Sequence, residues 1–135
     1  MQLSATTVSL TVDDVAASRD FFVRHFGYKT TVEADGFASL SHEGPAVDLV
    51  FLARGIEVLP PDQRDRHAAG LILAFTVTGL DAEQERLRAE GAPITMPLRE
   101  DPWGERLFQT KDPNGVVVQL VEWVTPAGDA PEPPK

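Results

Sequence analysis

The sequence predicts an α+β fold of two βαβββ modules, each a mixed sheet with one outer helix, together enclosing a concave cleft. Three observations predict it. Short alternating strands are separated by turn residues, two helical stretches each follow such a strand, and Ser9–Ala17 recurs as Ala74–Ala82. In that recurrence Thr11/Thr76, Val12/Val77 and Ala17/Ala82 are identical, and Leu10/Phe75 and Val15/Leu80 match in kind. Each copy starts as a strand and passes through a polar or glycine junction into a helix.

In the first module Val8, Leu10 and Val12 alternate with Thr7, Ser9 and Thr11, the period of a strand with one apolar face. Asp13 or Asp14 caps the next helix by accepting unpaired backbone N–H groups. Val15, Phe22 and Phe26 fall on one helical stripe, and Gly27 ends it. His25, beside that end, reads as a surface residue favoured by the helix dipole. Strands follow around Lys29–Glu33, Phe37–His42 and Val47–Leu52, divided by Asp35-Gly36 and Gly44-Pro45.

The second module opens with a strand at Leu71–Val77 and a helix from Leu80 to Glu90, with Leu80 and Leu87 inward and Gly91 as the stop. Strands are expected near Ala92–Thr95, Glu105–Lys111 and Val116–Glu122. Residues 54–70 form a long charged connection with Pro60-Pro61, the kind of segment that serves as a lid or a mobile linker; His67 within it reads as solvated. The expected organisation is one domain over residues 1–124, with module one at about 5–53 and module two at about 71–124. Residues 125–135 carry four prolines and few apolar side chains, which predicts a disordered tail.

Composition removes several function classes. A net charge of −9 opposes a sequence-independent grip on a phosphate backbone, so no nucleic-acid partner is expected. Without cysteine there is no disulfide, thiolate metal site or thiol nucleophile. No apolar run has the length of a membrane span, and the first residues lack a signal pattern, so a cytoplasmic location is the expectation. Phosphate-loop and dinucleotide glycine patterns are missing, and Ser39 and Ser41 lack a nucleophile-elbow setting.

The segment Pro102-Trp103-Gly104-Glu105-Arg106-Leu107-Phe108, followed by the turn Asp112-Pro113-Asn114-Gly115 and the strand Val116–Leu120, resembles the glyoxalase/bleomycin-resistance (vicinal oxygen chelate) superfamily. The resemblance extends over roughly residues 5–124. It implies the two-module fold, frequent homodimers, and a division between metal enzymes and metal-free ligand binders. The positions that carry metal ligands in relatives fall here on Thr7, Ile72 and Gln119. Ile72 offers no donor and an amide oxygen is a weak ligand for a first-row metal, whereas a catalytic site needs about three protein ligands. The expectation is therefore no metal, no other cofactor and no catalytic residue.

If Thr7 faces the cleft, the pleat takes Ser9 and Thr11 with it; Ile72 likewise takes Ala74 and Thr76, and Gln119 takes Val117 and Val121. Such small neutral residues suit either a bulky ligand or tight packing between modules. Phe37, Phe51 and Phe108 lie on strands that border the cleft or fill the core, and His42 faces cleft or solvent. The resemblance places the Trp103 loop at the pocket mouth, where an indole stacks on a flat ligand. The candidate binding residues are thus Thr7, Ser9, Thr11, Phe37, His42, Phe51, Ala74, Thr76, Trp103, Phe108 and Gln119. The leading expectation is a metal-free homodimer that sequesters a bulky aromatic antibiotic or natural product. Two alternatives stand beside it. One is a lyase, isomerase or dioxygenase with an atypical metal site, or with Glu100, Glu105 or Asp48 as base. The other is an accessory module whose cleft binds protein.

Overall fold

The computed structural model describes residues 1–124, and the proline-rich tail expected at 125–135 lies outside them. Two compact units emerge, Met1–Leu71 with Asp112–Val116, and Ile72–Lys111 with the chain from Val117 onward.

In the first unit the order is β1 (Thr7–Val12), α1 (Val15–Phe26), β2 (Lys29–Ala34), β3 (Phe37–Ser41) and β4 (Asp48–Ala53). The sheet order is β1-β4-β3-β2, with β1 parallel to β4 and the other pairs antiparallel. The β1–β4 register opposes Leu10 to Phe51 and Val12 to Ala53. Leu10, Leu40, Leu49 and Phe51 share the face that α1 covers, each at most 1% exposed. Phe22 fills the space between, with its ring 5.4 Å from Phe51 and 5.9 Å from Tyr28.

Helix α1 starts as the sequence predicts: the Asp14 side chain accepts the Ala17 N–H at 3.1 Å. Gly27 ends it at φ +73°, a conformation that a side chain would strain. Its buried face differs from the expected Val15–Phe22–Phe26 stripe. Ser18, Phe21, Phe22 and His25 are the buried positions, with Val15 and Phe26 at the margin. The surface role expected of His25 is corrected accordingly, because its ring lies edge-on to Phe21 at 4.9 Å.

The second unit runs β5 (Ile72–Thr76), α2 (Leu80–Ala89), β6 (Ile94–Glu100), β7 (Glu105–Lys111) and β8 (Val117–Trp123), in the sheet order β5-β8-β7-β6. Leu80 and Leu87 turn inward as predicted, over a face that holds Leu73, Phe108, Val118 and Leu120. Strand β6 is longer than expected and shifts register around Met96 and Pro97, where proline removes a ladder donor from an edge strand.

The cap of α2 comes from far along the chain. Gly79 has no side chain to offer, and Glu122 on β8 accepts the N–H groups of Gly79 at 2.8 Å and Leu80 at 3.2 Å. A carboxylate suits the positive end of the helix dipole. Arg106 holds that arrangement together: it reaches Asp81 at 2.7 Å and Glu122 at 3.5 Å, with only 23% of its side chain exposed.

The turn Asp112–Gly115 lies with the first unit and does more than reverse the chain. The buried Asp112 carboxylate accepts the N–H groups of Asn114 (2.9 Å) and Val116 (2.8 Å), and the Ser18 hydroxyl at 2.5 Å. Asn114 accepts the Asp14 N–H at 3.1 Å and donates to the Asp14 carbonyl and the Ser18 hydroxyl, each at 2.7 Å. The first turn of α1 is thereby fastened by two residues about a hundred positions away.

Residues 54–70 fold back on themselves. Arg64 donates to the carbonyls of Leu59 (2.6 Å) and Glu57 (3.0 Å), and Gly55 N–H reaches the Arg64 carbonyl. The segment returns to the end of β1 through Ala68 N–H to Thr11 and through Asp13, which pairs with Arg54 (3.1 Å) and His67 (2.5 Å). His67 is therefore a partnered residue, not the simply solvated one expected.

Candidate functional site

Each sheet has one face without a helix. In the second unit, strand pairing builds that face in rows. Ile72, Val117 and Lys111 form one row; Ala74, Gln119, Gln109 and Met96 the next; Thr76, Val121 and Leu107 a third. Trp123 stands opposite Glu105 in the last. Ile72 is 52% exposed, Ala74 and Thr76 are exposed, and Gln109, Gln119 and Val117 are half-buried, whereas Val121 and Leu107 are buried.

At the centre, Gln109 Nε2 donates to Gln119 Oε1 at 2.8 Å. The pair leaves Gln119 Nε2 and Gln109 Oε1 as a neutral donor and acceptor edge. At one end the loop carrying Trp103 is held by backbone bonds, Asp101 N–H to Glu105 O (2.7 Å), Gly104 N–H to Asp101 O (3.0 Å) and Val124 N–H to Gly104 O (2.9 Å). Gly104 takes φ +89° there, and the half-buried Trp103 donates its indole N–H to Glu105 at 3.3 Å.

In the first unit the helix-free face carries Thr7, Ser9 and Thr11 on β1, Val50 and Leu52 on β4, and Phe37 and Ser39 on β3. Thr7 and Ser9 are exposed and Phe37 is half-buried, while Thr11 is 7% exposed. Thr7, Ser9, Thr11 and Phe37 thus share one sheet face, and Ala74, Thr76 and Gln119 share the other, as the pleat predicts.

Three candidates lie elsewhere and are corrected. Phe51 and Phe108 are fully buried on the helix-covered faces, one against Phe22 and one in the sheet beneath α2, so they are core residues. His42 follows the parity of Leu40 to the α1 side, where its ring meets Tyr28 edge-on at 5.1 Å and its Nδ1 accepts the Gly44 N–H at 2.9 Å. It lines a separate open pocket of about 320 Å³ with Thr6, Pro45 and Asp48. The Tyr28 phenol behind it donates to the Val47 carbonyl at 2.8 Å, and burial together with Asp48 pushes its pKa up to about 12.

The donor set does not fit a metal. Ile72 has no ligand atom, Gln119 spends its oxygen on Gln109, and the described residues hold no group of three or more His, Asp or Glu side chains able to bind an ion. Of the proposed bases, Glu100 lies 4.0 Å from Arg106, Glu105 accepts a single hydrogen bond from Trp103, and Asp48 lies on β4 of the first sheet. What the face offers is hydrogen bonding and stacking. Gln109 and Trp123, which the sequence did not place among the candidates, stand beside them. The signal was available in their even spacing from Glu105 and from Gln119 along adjacent strands.

These features define a class: proteins of duplicated βαβββ modules, each a helix-backed four-stranded sheet with one face left bare. The chain belongs to the Glyoxalase/Bleomycin resistance protein/Dioxygenase superfamily, whose model matches residues 4–120. A glyoxalase/bleomycin resistance protein/dioxygenase from Nocardioides is similar at 25% identity and a TM-score of 0.76, covering 100% of this chain and 91% of that one. TioX from Micromonospora sp. ML1 shares the fold at 23% identity and TM-score 0.71, over 90% of this chain and all of its own. TnmS3, an antibiotic binding protein from Streptomyces sp. CB03234, does so at 24% and 0.68, over 91% of this chain and 98% of its own. No curated protein matches the chain. No helix among the described residues is long and apolar enough to cross a membrane.

Proposed function

We propose that the protein is a metal-free binder that sequesters a bulky, partly aromatic small molecule, of the antibiotic or natural-product kind, without altering it. The observation that carries this reading is the Gln109–Gln119 pair. The amide at a metal-ligand position of the superfamily is engaged in a neutral contact, on a face that sets Ala74, Thr76, Met96, Leu107 and Val121 around it and carries Lys111 and Glu105 at its ends. Such a surface orients a ligand by hydrogen bonds and supplies little acid–base power. Trp103, held in a braced loop at the end of that face, provides a stacking partner. The antibiotic-binding description of TnmS3 supports the same class. We further propose that the protein acts in the cytoplasm as a homodimer, in keeping with the habit of the superfamily, and sedimentation at micromolar concentration tests the dimer.

The test combines metal analysis with binding. Protein purified without chelator and offered Ni, Co, Mn, Fe or Zn should take up no stoichiometric metal, and flat aromatic antibiotics should quench tryptophan emission saturably. Trp103→Ala should weaken that binding at least severalfold, about what losing one good aromatic contact implies. One metal per chain, lost on Gln119→Ala, would overturn the reading and make the protein a metal enzyme.

A further inference from the structure

We infer that the end of the second sheet built from Trp103, Glu105 and Trp123 is a subsite for a cationic group, so that the ligand is a flat aromatic molecule carrying a protonated amine. This rests on the binding function proposed above and names the ligand class it takes.

The acids of this region are engaged by arginine, with one exception. Asp101 lies 3.3 Å from Arg99, and Arg106 reaches Asp81, Glu122 and Glu100. Among the described residues no ion pair involves Glu105; its carboxylate accepts only the Trp103 indole N–H. It is half-buried, and a half-buried carboxylate with one neutral donor retains most of its acceptor capacity.

Both neighbours of Glu105 are indoles. Trp103 is fixed two residues earlier by the three backbone bonds of its loop, and Trp123 is the directly opposed residue on β8, so its side chain leaves the sheet on the same side as Glu105. Trp103 turns its N–H edge to the carboxylate, so Glu105 itself supplies the main contact for a cation by charge pairing, and the opposed Trp123 is the indole that can add a cation–π contact. The same sheet face continues through Leu107 and Val121 to the Gln109–Gln119 pair. A ligand whose amine sits at Glu105 therefore lays its ring system along Leu107 and Val121, past Arg99 opposite Leu107, whose charge is paired with Asp101, toward the neutral amide row. The overall charge of −9 favours the approach of a cation.

The test uses two three-ring probes of similar size, 9-aminoacridine, which is protonated at neutral pH, and the neutral acridone, each titrated by calorimetry. The wild-type protein should bind the cation about tenfold or more tightly than acridone. Glu105→Gln keeps an oxygen for Trp103, so it should fold normally, leave acridone unchanged and abolish the preference. Trp123→Leu should weaken the cation severalfold, and Asp62→Asn, which removes one negative charge from the connection at residues 54–70, should change nothing. Equal affinity for the two probes, a preference that survives Glu105→Gln, or equal erosion by Asp62→Asn would overturn the cation subsite and leave the binding function standing. Failure of both probes to bind the wild-type protein would overturn both.

Discussion

Replacing Asp112 by alanine should destabilise the protein far more than a turn substitution ordinarily does. The carboxylate is 3% exposed and accepts three hydrogen bonds. Val116 is 2% exposed, so its N–H has no water to turn to, and a buried donor left unpaired costs about 1–3 kcal/mol. Ser18 is fully buried and keeps the Asn114 amide as a donor but loses the acceptor for its own proton, for about 1 kcal/mol more. The Asn114 N–H is half-exposed and water replaces most of its bond. The sum is about 2–4 kcal/mol, a large share of the roughly 5–15 kcal/mol that separates folded from unfolded domains. Asp112→Asn retains one oxygen for the backbone donors and turns its amide toward the Ser18 oxygen, so about 1–2 kcal/mol should be lost. Urea denaturation followed by far-ultraviolet dichroism measures both, the midpoint moving while the slope stays fixed. A loss below about 1 kcal/mol for alanine, or equal losses for the two variants, would refute the assignment of Asp112 as the hub of this turn.

Two further predictions concern buried polar groups. Tyr28, whose folded pKa is about 12 against 10.0 for an ordinary phenol, gives stability that is complete below pH 10 and lost as pH rises toward 12, because only the unfolded chain ionises in that window. The loss should reach about 2–3 kcal/mol and vanish in Tyr28→Phe, with phenolate absorbance as a direct reporter since the chain has a single tyrosine. Thr110 is fully buried, and among the described residues its hydroxyl has no hydrogen-bond partner. Thr110→Val should therefore raise stability or leave it unchanged, by up to about 1 kcal/mol in the same denaturation assay; a clear loss would show that the hydroxyl is paired.

The succession of strands and helices and both ends of α1 were legible because local chemistry specifies them. Asp14 and Gly27 delimit α1 by their own side-chain and backbone preferences, and the Thr–Val alternation of β1 assigns each residue to a face. The faces of Phe51 and Phe108 stayed open between cleft and core, and the reason is general. Strands β4 and β7 are central, so Leu49, Phe51 and Leu52 are all buried, as are Leu107, Phe108 and Thr110, and the hydrophobic pattern no longer separates the two sides. Only pairing register resolves it, through Thr11 opposite Leu52 and Gln109 opposite Gln119. The α1 stripe misled differently: Ser18 and His25 are polar, so a count of apolar residues skips two of its four buried positions.

The same distinction explains what the recognised motif does and does not say about function. Asp112 and Asn114 fasten α1, and Arg106 holds the Glu122 cap of α2, so these motif residues specify the fold whichever ligand the protein takes. Their presence in a sequence identifies the architecture and is silent on chemistry. In the function proposed above, ligand contact falls to residues between them, where Trp103 and Glu105 sit inside the motif but outside its structural bonds to the helices. A relative with the same Arg106 and Asp112 equivalents but a small neutral residue at the Glu105 position should therefore keep the fold and lose the preference for cations.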